Sequence, residues 1–424
     1  MGLSRFGSPQ LNMEYGCIGE HLNHSFSKEI HKQIAEYLYE LREIPMGGLA
    51  DFMTKRDFCA INVTIPYKQD VIPYLKEIDP TAAAIGAVNT IVNRNGDLYG
   101  YNTDFGGMSD LIRHTGIDMK GKKVLIFGTG GTSKTAIAVA QAMGAAESFR
   151  VSRDAKPGVL TYEDVLQSHL DAQVLINTTP KGMFSREAGM PMDPEKFPNL
   201  CGVIDAVYNP LRTEFVQKAR SLGVPAAGGL YMLVRQAVLA SEIFLDKTYP
   251  ENLTETVYQN IKSGKENIVL TGMPGSGKST VGELLAKDFS RPYLDTDLLI
   301  EEKTGCTPSQ IISCQGEKAF RDIETQVIRE IASQTGCIIA TGGGAILRKE
   351  NIDLLKQNGK VFFLDRDVNQ LIPTQDRPLS STKEDILRRY HERYGIYVST
   401  ADVVTQNNDT PEAAAQKVER EFLT

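Results

Sequence analysis

The chain has 424 residues, 41% of them hydrophobic and 23% charged, with a formal net charge of -7. That length predicts two or three domains with sizeable cores, and the balance of apolar and charged residues is ordinary for a soluble globular protein. The negative charge opposes nonspecific binding to nucleic acid or anionic membrane, while leaving room for a local basic patch that holds a small anion. No apolar run of about 18 residues predicts a transmembrane helix, and the leader MGLSRFGSPQLNM lacks the apolar core of a signal peptide and reads as a tail. The six cysteines (17, 59, 201, 306, 314, 337) form no C-x-x-C pair and no zinc-spaced cluster, so they read as reduced thiols of a cytoplasmic protein.

In chain order, NVTIPYKQD (62–70) puts Lys68 just past a strand-like run, GAVNT (86–90) offers Asn89, and GYNTDFGG (100–107) offers Asp104. Hydride reduction of a ketone leaves an oxyanion that must receive a proton, and a lysine beside an aspartate can donate it. Taken alone, Lys68 reads as a solvated surface residue. His24 and His31 lack a third ligand at suitable spacing for a metal and read as structural.

KVLIFGTGGTSKTAIAVAQAMGA (123–145) is strand, glycine turn, helix. It departs from G-x-G-x-x-G at Ser133, which is still small enough for close helix–strand packing, so Gly128, Gly130, Gly131, Thr132 and Ser133 are expected to bind a dinucleotide. The next strand ends in FRVSRDAK (149–156). Arg153 suits the 2′-phosphate of NADP, and Asp154 directly after it keeps the ribose hydroxyl of NAD open as an alternative. AQVLINTT (172–179) and CGVIDAVY (201–208) read as buried strands, and LYMLVRQAVLASEIF (230–244) as a helix.

The polar stretch YPENLTETVYQNIKSGKEN (249–267) is the best domain boundary. Beyond it, the strand NIVLTG, the loop GMPGSGKST (272–280) and the helix KSTVGELLAKDF form a phosphate cradle. Lys278 is expected to reach the β- and γ-phosphates and Ser279 to ligate magnesium. YLDTDLLIEEKTG (293–305) places Asp295 and Asp297 at i and i+2, on one side of an extended strand end. One carboxylate there can hold magnesium through water, and the other can bind a hydroxyl and help remove its proton. GEKAFRDIE (316–324) supplies Arg321, and TGGGA (341–345) lets backbone approach a ligand. DRPL (376–379) and HERYGIY (391–397) add Arg377 and Arg393. Singly, each arginine reads as a surface residue. Together with an aspartate, arginines describe a small acceptor carrying both an anion and a hydroxyl. Strands such as KVFFLD (360–365), alternating with helices, imply an α/β protein with parallel sheets covered on both faces and ligands at the carboxyl ends of the strands.

In this order, G-x-x-G-x-G-K-S, D-x-D, G-E-x-x-F-R-x-x-E, G-G-G and R-P-L resemble shikimate kinase over about residues 266–424. The resemblance implies that Asp297, Arg321, Arg393 and the Gly343–Gly344 backbone hold shikimate, with Lys278 and Asp297 catalytic. Gly275, Ser276, Gly277, Lys278, Ser279 and Thr280 would bind ATP, Ser279 and Asp295 would organise Mg2+, and Arg377 would meet the phosphates from a closing lid beside Asp376. HSFS, NVTIPYK, GAVNT, NTD, GTGGTS, INTTPKGM, DAVYNPLRT and GGLYMLVRQA resemble shikimate dehydrogenase over about residues 13–248. By that resemblance Ser25, Ser27, Thr64, Asn89, Asp104 and Gln236 line the shikimate site, the two serines binding its carboxylate. Lys68 and Asp104 form the catalytic pair, Tyr208 approaches the substrate, and Arg153, Asn177, Thr178 and Gly229 border NADP(H). Lys28 stands where a proline often follows HSxS and is expected to alter only the helix start. Serines at both 25 and 27 favour shikimate over the bulkier quinate.

The implied architecture is a two-lobed dehydrogenase followed by a P-loop NTPase-type parallel α/β kinase domain. The dehydrogenase spans 13–255, with a substrate lobe (13–104 and 229–250) and a Rossmann lobe (105–228). A linker (256–265) precedes the kinase (266–424). The expected substrates are 3-dehydroshikimate and shikimate, with no nucleic-acid or membrane partner. The alternatives are an NAD-using quinate/shikimate dehydrogenase fused to the kinase, or a catalytically silent shikimate sensor. Retention of Lys68, Asp104, Lys278 and Asp297 together argues against the sensor.

Overall fold

Alternating apolar strands and amphipathic helices fold into three sheets. The computed structural model describes residues 13–22, 25–184, 188–371 and 382–423. The chain divides into two units, one of residues up to Asn209 with Thr213–Ile261, the other of Pro210–Arg212 with Lys262–Thr424. The stretch expected to be a linker is helical (Leu253–Lys265), because its polar sequence carries Val257 and Ile261 four residues apart on one buried stripe.

The first sheet has the strand order Tyr39–Glu43, Tyr15–Gly19, Ala60–Val63, Thr90–Arg94, Asp97–Tyr101, Glu77–Ile78. It is mixed rather than purely parallel, which corrects the expectation for this part of the chain. Thr90–Arg94 and Asp97–Tyr101 form an antiparallel hairpin in which Arg94 faces Asp97. The two residues between them, Asn95 and Gly96, both have positive φ (56° and 93°), the mirror-image turn whose twist matches that of paired strands.

The second sheet is parallel, in the order Ala226–Ala227, Gly202–Asp205, Val174–Asn177, Lys123–Phe127, Glu147–Ser152, Leu160–Thr161. Its central strand shows why the sequence there is continuously apolar. Val124 and Ile126 pack with Met108 and Val139 on one face, while Leu125 and Phe127 pack with Val165 and Phe215 on the other. All four strand residues are fully buried, each burial stabilising by roughly 1.5–3 kcal/mol.

The third sheet, in the second unit, is also parallel: Tyr293–Asp295, Ile338–Ala340, Asn267–Thr271, Gly359–Asp365, Val403–Gln406. Helices cover both faces, Lys278–Phe289 and Pro411–Leu423 on one and Pro308–Ala332 with Lys349–Asn358 on the other. No helix among the described residues is long and apolar enough to cross a membrane.

The helix Thr103–His114 carries Asp104 in its first turn and packs against Leu230–Leu245. Gly107 permits that approach, since a Cβ there would lie 2.8 Å from the Met232 carbonyl oxygen. Asn102 starts the helix by accepting from the Phe105 N–H (3.1 Å), and its own amide donates to the Ala87 carbonyl (2.8 Å). Asn102→Ala removes both bonds at a buried site, so it is expected to destabilise the first unit by about 1–2 kcal/mol, read as a lowered urea midpoint by circular dichroism.

Candidate active sites

In the first unit two charged groups from distant segments meet. Lys68 Nζ lies 2.5 Å from Asp104 Oδ2, with both side chains largely buried. Each backbone is tied in place. The Lys68 carbonyl accepts from Val88 N (2.8 Å), while Asn89 Oδ1 accepts from Thr103 N (2.7 Å) and Asn89 Nδ2 donates to Thr103 Oγ1 (3.0 Å). Asn89 therefore also fixes the helix start that carries Asp104. Behind it, Asn62 donates to the Asn89 carbonyl and to Thr90 Oγ1 and accepts from the Tyr39 hydroxyl (2.6 Å).

Other expected residues of the first unit are placed as follows. Ser25 Oγ donates to Ser27 Oγ (3.0 Å) at the start of the helix Ser27–Ile34, which begins despite Lys28. Tyr208 packs on Phe26 with ring centroids 5.3 Å apart, and burial pushes its hydroxyl up to about 12. Thr64 donates its N–H to the Ile18 carbonyl and packs on Gly19. Gln236 sits on the helix facing Thr103–His114, its amide donating to Leu233 O. His31 is fully buried. Burial pushes it down to about 3, so it is a neutral imidazole stacked 3.7 Å from the Tyr39 ring. His24 lies outside the described residues.

The glycine turn adjoins the same pair: a Cβ on Gly131 would lie 3.4 Å from Lys68 Cβ. The helix Gly131–Ala142 has no side-chain cap, which leaves its first N–H groups for an anion. Gly128 has φ 121° and would place a Cβ 2.4 Å from Thr178 Oγ1, and space beside Gly130 is open. Thr132 is half-buried in the first turn, and Ser133 is fully buried with its hydroxyl on the Gly130 carbonyl, so its smallness serves packing. Gly229 likewise serves close packing, a Cβ there falling 2.3 Å from Ala206 O. Arg153 and Asp154 are exposed just past the strand Glu147–Ser152.

At the next strand ends, the Asn177 amide is engaged inside the protein. It accepts from Thr179 N and Oγ1 and donates to Lys181 O and Asp205 Oδ1. Thr178 Oγ1 donates to Phe127 O (2.7 Å). The side chains of both expected cofactor residues are thus spent inside the protein.

In the second unit, Asp295 ends the strand Tyr293–Asp295, but Asp297 does not continue it. It lies in the first turn of the helix Thr296–Thr304, which Asp295 caps by accepting from Asp297 N (2.9 Å). The extended i, i+2 geometry read from the sequence is thus corrected: a D-x-D whose first aspartate is an N-cap turns the chain into a helix. Asp295 Oδ2 also accepts from Ser279 Oγ (3.1 Å), giving two adjacent oxygen groups suited to a hard cation that keeps most of its waters.

The cradle is built tightly. Gly275 and Gly277 have positive φ (80° and 89°), and Gly277 opens an uncapped helix. Ser276 is fully buried and its carbonyl accepts from Asn407 Nδ2 (2.5 Å), which pins the loop. Lys278 Nζ donates to Gly272 O and Met273 O (3.0 and 3.1 Å), while Ser279 and Thr280 face solvent.

The glycine run joins the rest. Cβ atoms on Gly342, Gly343 and Gly344 would meet Asp297 Oδ1 at 2.8 Å, Pro274 Cδ at 2.8 Å and Arg321 Cζ at 2.4 Å. Asp297, the cradle and Arg321 therefore converge on one short backbone segment. Arg393 Nη1 and the Tyr397 hydroxyl both donate to Gly343 O (3.1 and 2.5 Å). Arg321 and Arg393 are buried rather than surface residues. Arg321 Nη1 pairs at 2.8 Å with Glu324, whose carboxyl is pushed up to about 6 by burial, with Asp297 adding and Arg321 opposing. Arg377 lies outside the described residues. Asn62, Thr103, Glu324, Tyr397 and Asn407 were not singled out from sequence. GEKAFRDIE did contain a signal for Glu324, an acid three residues after the arginine on a helix.

Two family models match this chain: the shikimate dehydrogenase substrate binding domain over residues 17–91 and shikimate kinase over residues 274–422. The NADP(+) shikimate dehydrogenase of Clostridium beijerinckii is 34% identical over 261 residues, 58% of this chain and 96% of that protein. The shikimate kinase of Clostridium botulinum is 42% identical over 160 residues, 37% of this chain and 96% of that protein. The crystal structure of shikimate dehydrogenase 1 from Peptoclostridium difficile superposes with a TM-score of 0.55 at 33% identity, covering 59% of this chain and 97% of that one. The chain belongs to the shikimate dehydrogenase family in its first part and to the shikimate kinase family in its second, joining the two enzymes in one polypeptide.

Proposed function

We propose that the first unit reduces 3-dehydroshikimate to shikimate and the second phosphorylates that product to shikimate 3-phosphate. The observation that carries the first step is the Lys68–Asp104 pair beside the glycine turn. NADPH supplies the hydride that adds to the carbonyl carbon. Lys68 gives the developing alkoxide its proton, and Asp104 holds the lysine side chain in line. Ser25, Ser27 and Tyr208, clustered at a helix start, are assigned the substrate carboxylate. Thr64, Asn89 and Gln236 are assigned its hydroxyls.

In the second unit, ATP with magnesium supplies the phosphoryl group, and the Ser279–Asp295 oxygens fit that ion. Asp297 accepts the proton of the attacking hydroxyl, while Arg321 and Arg393 hold the carboxylate of shikimate against the Gly343–Gly344 backbone. Lys278 follows the charge on the transferring phosphoryl. The six cysteines are free, which supports a reducing, cytoplasmic setting. We take the dehydrogenase domain as residues 13–255 and the kinase domain as residues 266–424.

Three outcomes test these roles. Lys68→Ala is expected to lower kcat for reduction by about 100-fold or more and to spare phosphorylation. Lys278→Ala is expected to do the reverse, and a chelator to stop only phosphorylation. Loss of both activities in either folded variant would sink the assignment.

Gly344→Ala pushes a methyl group into the Arg321 guanidinium. It is expected to raise the kinase KM for shikimate about tenfold, a change of ~1.4 kcal/mol, with the KM for ATP within about twofold.

Asp154 beside Arg153 favours a second reading, in which NAD serves. Initial rates with NADPH and NADH separate the two. Arg153→Ala is expected to reduce kcat/KM about tenfold for NADPH and leave NADH unchanged.

A further inference from the structure

A carboxylate that no step uses lies buried at the ligand end of the second sheet. Asp205 ends the strand Gly202–Asp205 and is fully buried. Ion pairs involving it are absent among the described residues, and burying an ionised carboxylate without a partner is costly. Three donors surround it. Oδ1 accepts from Asn177 Nδ2 (2.9 Å) and Val207 N (3.0 Å), and Oδ2 accepts from Thr213 Oγ1 (2.6 Å).

These donors are distributed with a purpose. Val207 and Thr213 stand on either side of Tyr208, and Thr213 also caps the helix Glu214–Ser221 by accepting from Val216 N. Asn177 holds the turn through Thr179 and Lys181. One carboxylate thus ties the chain before Tyr208, the chain after it, and the neighbouring strand-end turn. The Asn177 amide nitrogen and the Thr213 hydroxyl both donate to this one side chain, which fixes how each is turned. Burial pushes Asp205 up to about 7, and its three hydrogen bonds oppose that rise.

We propose that Asp205 is a positioning residue for the dehydrogenase, holding Tyr208 against Phe26, the residue next to Ser25, where the substrate carboxylate is received. This rests on the assignment of Tyr208 to the substrate site. It adds that the tyrosine's placement is imposed from the sheet through one buried carboxylate. A positioning role predicts a kinetic effect that disappears once Tyr208 can no longer make its contact, whereas a merely structural role predicts an effect independent of Tyr208.

The test is a double-mutant cycle in the full chain, with Asp205→Asn, Tyr208→Phe and the pair, measuring shikimate oxidation with NADP+. Each single variant is expected to raise the KM for shikimate about tenfold, and the double to stay near tenfold rather than about hundredfold. Thr213→Val, which removes one donor and leaves the carboxylate, is expected to shift KM in the same direction, and Thr213→Ser to recover most of that loss. If Asp205→Asn loses its circular dichroism signal, Thr213→Val takes its place in the cycle. Two impaired singles with multiplying effects would overturn the positioning role while leaving Tyr208 as a substrate contact. Wild-type kinetics in Asp205→Asn would do the same. An unchanged KM in Tyr208→Phe would overturn the Tyr208 assignment itself, and the proposal with it.

Discussion

A lysine and an aspartate 2.5 Å apart in a largely buried site stay in register only if both main chains that carry them are held in place. In the first unit, that hold comes from amide side chains rather than apolar packing alone. Asn89 grips the helix start before Asp104, Asn62 grips Asn89, and Val88 N grips the carbonyl of Lys68 itself. Such a chain is satisfied at each link and therefore stabilises, whereas a break would strand buried donors at about 1–3 kcal/mol each. The Rossmann turn then needs only to approach from one side, which the small residues Gly131 and Ser133 allow.

The second unit meets the same demand by backbone approach. Three successive glycines let Asp297, Pro274 and Arg321 come within distances at which a side chain would collide. Two cations then act on this run in different ways. Arg393 bonds the Gly343 carbonyl, and Arg321 fills the space beside Gly344 while Glu324 holds its guanidinium. Fixing a guanidinium before the ligand arrives reduces the ordering cost of recognition.

Most of the architecture was legible because buried parallel strands read as unbroken apolar runs, and glycine loops between strand and helix have few other uses. The exceptions have physical causes. The hairpin of the first sheet was signalled by Asn95-Gly96, a turn pair set between two strands that are not uniformly apolar. Asp297 was placed on a strand because alternation was followed past an aspartate that in fact caps a helix. Most residues proposed to touch a ligand were readable as charged or glycine-rich segments at strand ends. Those that hold them were not: Asn62, Thr103 and Tyr397 have ordinary identities, and their partners lie 14 to 54 residues away in sequence. Arg321 shows the limit from the other side, since alone it reads as a surface arginine and only the folded chain buries it.

The cradle lysine bears on where the work of desolvation is done. Lys278 is 8% exposed, and its ammonium is already turned onto two carbonyls of its own loop. Water has been stripped from that charge by folding, so an arriving phosphate exchanges carbonyl oxygens for its own and strips little more. The cost of burying that charge falls on the stability of the unit, and the two carbonyls offset part of it.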